Sequence, residues 1–347
     1  MATINQYGNK QTPVLTDKLH LWSTADGADM NITLEQARDL LAGILANLDT
    51  DDKASIVAAI NELNGPVKNM ASRPINGSYS GRNLKTYFGT AANLEDAIES
   101  GDFSHIATGD YWPLVIAGTF KDYAANANKT INETFIMEIA GINHYWRYGE
   151  SGAGVNHNHL AMISRDTIPF NLQYRSEAST WYDETTQNPW TGSHLFQTLN
   201  NATDGLVALI LASELGQFIY TGPNGKGMRS LMETKAKGAT AASSWAWKDR
   251  GILFIPTEKE YWGNETWAEH GYGGANALQF ELFAGSRKHL SKGLGNGGSR
   301  ATYWSESSNS GGADNACLVG RSGHPSTNST ADTGISAPLC FLLGKQP

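Results

Sequence analysis

The chain has 347 residues, 40% hydrophobic and 10% aromatic, enough to bury a sizeable core and too apolar for disorder throughout. Only 17% of residues are charged, the formal net charge is −8, and Lys and Arg never cluster, which argues against nucleic acid and anionic membrane as partners. Gly occurs 37 times among many Asn, Ser and Thr, a profile of short strands and turns, and two cysteines are too few for a disulfide-stapled mini-domain or a cysteine zinc ribbon.

Met1–Lys10 lacks the apolar core of a signal peptide, and the longest apolar stretch, Leu206–Ser213, is too short to cross a bilayer. A place outside a cell would then require another route, such as virion assembly followed by lysis. After an irregular start, Thr33 and Gln36 form a capping-box signature. Leu34, Ala37, Leu41, Ile44 and Leu48 follow at heptad spacing. A second helix is expected from Asp51–Asp52, with Ile56, Ile60 and Leu63 on one face and Gly65-Pro66 as its stop. Residues 1–70 thus read as a helical region, either a hairpin packed on its own chain or a short seam that trimerises the protein or docks it on a larger particle.

Residues 71–94, polar and glycine-rich, read as a linker, and Asn93–Gly101 as a short capped helix. From Tyr111 the pattern turns to short strands, at Tyr111–Phe120, Thr134–Ile142 and His159–Ile163. Helices are expected at Ser193–Asn200, capped by Ser193, and over Leu206–Phe218. Gly251–Pro256 reads as an apolar strand leading into a helical start at Thr257–Glu260. Further strands fit Ala301–Ser305, Ala316–Val319 and Pro338–Leu343. The fold class is α+β, with hairpins rather than βαβ units and no repeat of fixed period.

Catalytic signatures fail on context. Gly293–Gly298 leads into a strand rather than a helix, so it is a loop and not a dinucleotide fingerprint. Gly222–Gly227 lacks the spacing of a phosphate loop. His157 and His159, with His144 upstream, have no carboxylate to complete a metal set, and a hydrogen-bonded loop is the stronger reading. Glu258/Glu260 and Glu265/Glu269 are pairs that glycoside hydrolysis could use, although Glu258 and Glu260 also suit a helix start. Cys317 and Cys340 are expected as two buried thiols, a single bridge being the alternative. No catalytic residue, metal or cofactor is assigned.

Ser299–Ser308 with its Tyr303-Trp304 pair, then Ala316–Val319, then Gly334–Leu343 with Pro338 and Cys340, resembles the end of a C-type-lectin-like family found in phage tail proteins. Gly101–Ser104, Ile106–Trp112, Asn188–Ser193 and Glu258–Gly263 fit the same pattern, extending the likeness over residues 95–347. Thr50–Leu63 is similar to a segment near the N-termini of phage tail-fibre and baseplate proteins. The resemblance implies a scaffold related to formylglycine-generating enzymes and to retroelement-diversified receptor-binding proteins. The enzyme's catalytic cysteine pair is missing, as is the Glu-Pro-Asn or Gln-Pro-Asp triplet of calcium-dependent sugar sites.

On this reading the binding face comprises Tyr303, Trp304, Ser305, Glu306, Ser307, Ser308, Asn309, Asp314, Asn315, Arg321, His324 and Asn328, in and beside two polar stretches, 305–315 and 321–332. Small polar groups and aromatics together make adaptable contact surfaces. The expected function is a phage virion adhesin, a homo-oligomer (trimer favoured) with residues 1–70 docked to other tail proteins and 95–347 facing a protein or glycan receptor on the host. A structural baseplate, collar or decoration protein is the alternative, and a tail-associated carbohydrate-active enzyme using residues 258–269 the third.

Overall fold

A computed structural model describes residues 81–150, 154–176, 188–233, 246–268, 278–308 and 315–345, together with the backbone of two strands nearer the N-terminus. The chain divides into two units, Met1–Arg73 and Pro74–Pro347. In the first, β1 (Lys18–Ser23) pairs antiparallel with β2 (Ala28–Thr33), so part of the expected irregular start is a β-hairpin. The helices expected at 34–48 and 51–63 lie outside the described residues.

The second unit begins earlier than the expected linker boundary. Asn83 caps α1 (Leu84–Phe88) through its side chain, and Leu84 is buried, so this stretch already belongs to the core. Thr90, rather than Asn93, caps α2 (Ala91–Ser100), which ends on Gly101 in the left-handed conformation. Residues 81–94 are therefore folded, a correction to the linker expectation.

β3 (Tyr111–Asp122) and β4 (Ala127–Ile142) form a long hairpin, and β5 (Leu160–Ser164) pairs antiparallel with β4 across an irregularity between Ile139 and Gly141. The last strand of the chain, β11 (Cys340–Leu343), closes the sheet on β5, giving the order β11-β5-β4-β3. Strands β5 and β11 bury both faces. Leu160, Met162, Phe341 and Leu343 enter one core cluster, and Ala161, Ile163, Cys340 and Leu342 the other. β3 instead alternates, with Trp112, Leu114, Ile116 and Phe120 inward and Val115, Ala117 and Thr119 exposed. Lys345 N donates to Glu95 Oε1 at 2.6 Å, tying the end of the unit to α2.

α3 (His194–Asn200), capped by Ser193 as expected, and α4 (Leu206–Leu211) pack on the inner face of β3. The second helix stops at Leu211, short of the expected Phe218. Ser213 Oγ donates back to the Ile210 carbonyl at 2.6 Å, and the chain resumes as a 3₁₀ turn at Gly216–Phe218. Gly118 (φ +147°) lets Leu209 seat against β3, since a Cβ there would lie 2.5 Å from Leu209 Cδ2.

A short ladder joins β6 (Leu231–Glu233) to β7 (Ala246–Lys248). The strand expected at Gly251–Pro256 is not one. Its polar groups go elsewhere: Leu253 bonds the Asn200 side chain on both its N–H and C=O, and Phe254 exchanges a single bridge with Cys340. Apolar composition alone does not distinguish a buried coil from a strand. α5 (Glu258–Trp262) follows with a complete Thr257/Glu260 capping box, then α6 (Glu281–Gly285) and a 3₁₀ turn at Arg287–Leu290. The C-terminal sheet is β8 (Tyr303–Ser308), β9 (Asn315–Val319) and β10 (Pro325–Ser329) in the order β10-β9-β8. Cys317 and Cys340 are buried thiols that form no disulfide. No helix among the described residues is long and apolar enough to cross a membrane.

The link between β4 and β5 is held by His159 and Asn143. Asn143 Oδ1 accepts from His159 N, and His159 Nε2 accepts from Tyr145 N at 3.0 Å while Nδ1 faces the His157 carbonyl at 2.9 Å. That geometry demands a neutral ring protonated on Nδ1. Burial lowers its pKa to about 4, opposed by the bond to His157 and reinforced by the neighbouring His157 and His144.

Gly118→Ala should lose about 1–3 kcal/mol in urea unfolding, because the new methyl meets Leu209 at a backbone angle unfavourable to L residues. An unfolded imidazole titrates near pH 6.5, so the stability due to neutral His159 is complete above that pH. It is lost as the pH falls toward 4, up to about 3 kcal/mol. The slope of stability against pH between 6.5 and 4 should be shallower in His159→Gln, and an unchanged slope would contradict the assignment.

Candidate binding face

β8 carries the first half of the residues expected to bind, and the structure turns five of them inward. Tyr303 donates to the Leu290 carbonyl at 2.7 Å, and Trp304 Nε1 to the Leu172 carbonyl at 2.7 Å. The Trp304 ring meets Tyr174 edge-on at 5.5 Å. Ser305 Oγ donates to the Pro256 carbonyl, and Ser307 Oγ accepts from Glu258 N at 2.9 Å. Glu306 faces Arg250. All five are buried, which corrects their assignment to the surface. The physical cause is a bulge: Trp304 opposes Leu318 and Ser308 opposes Ala316, so four steps of β8 span two of β9. Pleat alternation fails there, and consecutive polar side chains turn toward Pro256 and α5.

These side chains converge on a buried charge centre. Arg250 forks onto Glu260, with Nη2 at 2.6 Å from Oε2 and Nη1 at 2.8 Å from Oε1, and reaches Glu306 Oε2 through Nε at 2.5 Å. Tyr145 donates to Glu260 Oε1 at 2.5 Å and accepts from Arg250 Nη1 at 3.0 Å. The guanidinium also lies 4.4 Å from the Phe254 ring centroid and donates to the Ile255 carbonyl. Burial works against both carboxylates. For Glu260 the charge and fork of Arg250 outweigh it and hold the carboxyl below its usual range. For Glu306 burial wins, opposed by Arg250 and aided by the charge of Glu260, and the pKa rises well above the usual value. Its Oε1 is buried and has no hydrogen-bond partner among the described residues. The centre is one guanidinium, Arg250, shared between the carboxyls of Glu260 and Glu306.

Of the remaining expected residues, Arg321, His324 and Asn328 lie outside this base. β9 is buried from Ala316 to Val319, and Asn315 is half-buried at its start. Arg321, His324 and Asn328 are exposed, on the turn after β9 and on β10. Residues 321–332 are one polar stretch by composition, yet 325–329 within them pair with β9 in register. The edge is braced locally. Ser322 Oγ lies 2.9 Å from His324 Nδ1, and Gly320 N donates to the His324 carbonyl. Asn328 Nδ2 donates to Asp332 Oδ2 at 2.5 Å. Asn309, Asp314 and the Ser308 side chain lie outside the described residues. The residues that sequence reasoning missed are Arg250, Tyr145 and the β10 backbone. Arg250 sits in Lys248-Asp-Arg-Gly251, where no pattern marks it.

The carboxylates considered for hydrolysis have other duties. Glu258 is fully buried, and its Oε2 accepts from the amides of Thr266, Trp267 and Ala268 at 2.8–2.9 Å, anchoring the loop after α5. Glu265 pairs with Lys259 at 3.5 Å, and Glu269 lies outside the described residues. Gly293–Gly298 is a loop, with Gly293 bridged to Arg300. No family model, curated protein or solved structure matches this chain.

Removing Arg250 strands a buried carboxylate, so Arg250→Met should cost about 3–5 kcal/mol in urea unfolding. Glu306 behaves oppositely. Its folded pKa lies above the unfolded one, so its favourable contribution is complete below about pH 4.5 and lost as the pH rises through the folded value. Glu306→Gln should match or exceed the wild type at pH 7, with the difference shrinking toward pH 4.5. A large loss at neutral pH would show Glu306 to be ionised.

Proposed function

We propose that the chain is a phage virion adhesin, a tail-fibre or receptor-binding protein whose C-terminal unit is a C-type-lectin-like scaffold. The observation that carries the reading is the division of the C-terminal sheet. β8 and β9 form a buried base fastened to Arg250, Glu260 and α5, while β10 and the turn before it hold Arg321, His324 and Asn328 in solvent. A rigid base under a polar rim suits recognition, because little conformational entropy is lost when the rim is engaged. The resemblance of residues 95–347 to phage lectin-like domains supports the same role, and that of Thr50–Leu63 supports attachment of residues 1–70 to other virion proteins. Several copies on one particle would give avidity to a weak contact. The carbohydrate-active alternative is less well supported, since Glu258 is committed to holding the loop after α5.

The test uses labelled full-length protein and a panel of bacterial hosts. Saturable surface binding is expected, together with a loss of about tenfold or more in the combined Arg321→Ala, His324→Ala and Asn328→Ala variant at an unchanged thermal midpoint. Undiminished binding by that variant would remove the face from the proposal. Absence of binding to every host would favour a role in virion assembly.

A further inference from the structure

The turn that carries Arg321 and His324 is seated against a second turn, the 3₁₀ segment Arg287–Leu290. Ser291 Oγ donates to the Arg321 carbonyl at 3.1 Å, while Ser291 N donates to the Lys288 carbonyl at 3.2 Å. Gly323 (φ +80°) lies directly on Leu290, and a Cβ there would come within 2.9 Å of Leu290 Cβ, so glycine permits the close approach. Both turns are held from below. Tyr303 donates to the Leu290 carbonyl at 2.7 Å, and Trp262 Nε1 donates to the Gly323 carbonyl at 3.2 Å. The fold thus sets Arg321 beside Arg287 and Lys288, which are distant from it in sequence. All three cations are exposed, and none forms an ion pair among the described residues. Residues 286–291 and 320–329 contain no Asp or Glu. The acids bonded to these segments are already engaged. Asp332 accepts from Asn328 Nδ2 and Gly334 N, and Glu138, 2% exposed, faces Arg165 and His289. A chain of net charge −8 therefore presents a local surplus of positive charge on a braced backbone.

We propose that this pair of turns binds a phosphodiester-linked glycan of the host surface through Arg287, Lys288 and Arg321. The source of the polymer rests on the adhesin reading, and its chemistry rests on charge complementarity. A guanidinium matches two phosphate oxygens in a fork, and an ammonium takes them as a point charge. Neither turn exposes a large apolar side chain: those in solvent among the described residues, Tyr87, Val115, Trp146, Trp267 and Leu278, lie on other segments. A protein partner needs an apolar patch to bury, and a membrane needs an apolar anchor besides the cations. No exposed aromatic ring stands on either turn to stack a sugar face or a base. Trp262, half-buried, spends its N–H on Gly323. The contact is then with charge carried in the backbone of the polymer, which a phosphodiester link supplies at every repeat. A uronic-acid polymer instead carries its charge on the sugar ring.

Calorimetric titration of the full-length chain with poly(glycerol phosphate) tests the face. Saturable binding is expected, weakening by about tenfold or more as NaCl rises from about 50 to about 500 mM, because exposed charges are screened. Arg287→Gln combined with Lys288→Gln should weaken binding by about tenfold or more at an unchanged thermal midpoint. Lys226→Gln, which removes an exposed lysine from another turn, should leave the affinity within about twofold. No binding, or an equal loss in Lys226→Gln, overturns the proposal. Equal or tighter binding to polygalacturonate or to a single-stranded oligonucleotide also overturns it. On host cells, free poly(glycerol phosphate) should compete with the labelled protein, and the Arg287 and Lys288 double variant should bind less. Cell binding that resists both overturns the phosphate site and leaves the adhesin reading standing. Polymer binding without any cell binding upholds the phosphate site and counts against the adhesin reading instead.

Discussion

Arg250 organises the C-terminal unit because it is the cation that makes a buried acidic centre tolerable. Its side chain reaches α5 through Glu260, β8 through Glu306 and the turn after β4 through Tyr145, and its own carbonyl accepts from Trp190 Nε1. Four segments therefore meet on one residue, three of them more than 50 residues away in sequence. A buried ion pair is weak evidence for added stability relative to an apolar core. Its effect here is geometric: each partner must occupy one place for the guanidinium to be satisfied.

The bulge in β8 is the local counterpart of that constraint. A strictly alternating strand would have sent Ser305 or Glu306 to solvent, and the centre would lack its third member. The two extra steps bring Ser305, Glu306 and Ser307 inward together, where Pro256, Arg250 and the first amide of α5 receive them. The cost of disrupting the β8–β9 ladder is offset by bonds to groups that would otherwise be buried unpaired. β10, beyond β9, is freed from supporting the core and presents polar side chains at the rim.

The same sheet edges show how exposure is managed. β11 is bridged by Phe254, and β8 is bridged by Ser336, so both present closed edges. β3 is closed only at its ends, by Arg82 and Asp204. Exposed edges are usually guarded by proline, charge or irregularity, and β3 has Pro113, Gly118 and Lys121. Those guards narrow the open run to a short central stretch rather than removing it.

Elements with strong local signals were legible from sequence. The alternation in β3, the Ser193 cap, the Thr257–Glu260 start and the apolar run of β9 and β11 depend on neighbours a few residues apart, and so does the α+β class they compose. What tertiary structure decided was the direction in which polar residues point. Tyr303–Ser307 have the composition of a contact surface, and only the bulge, with Arg250 more than 50 residues earlier in the chain, turns them into the base beneath one. Gly251–Pro256 has a strand's composition but spends its backbone bonds on Asn200 and Cys340. Polar burial is a property of partners brought from afar, and no local pattern encodes where those partners will be.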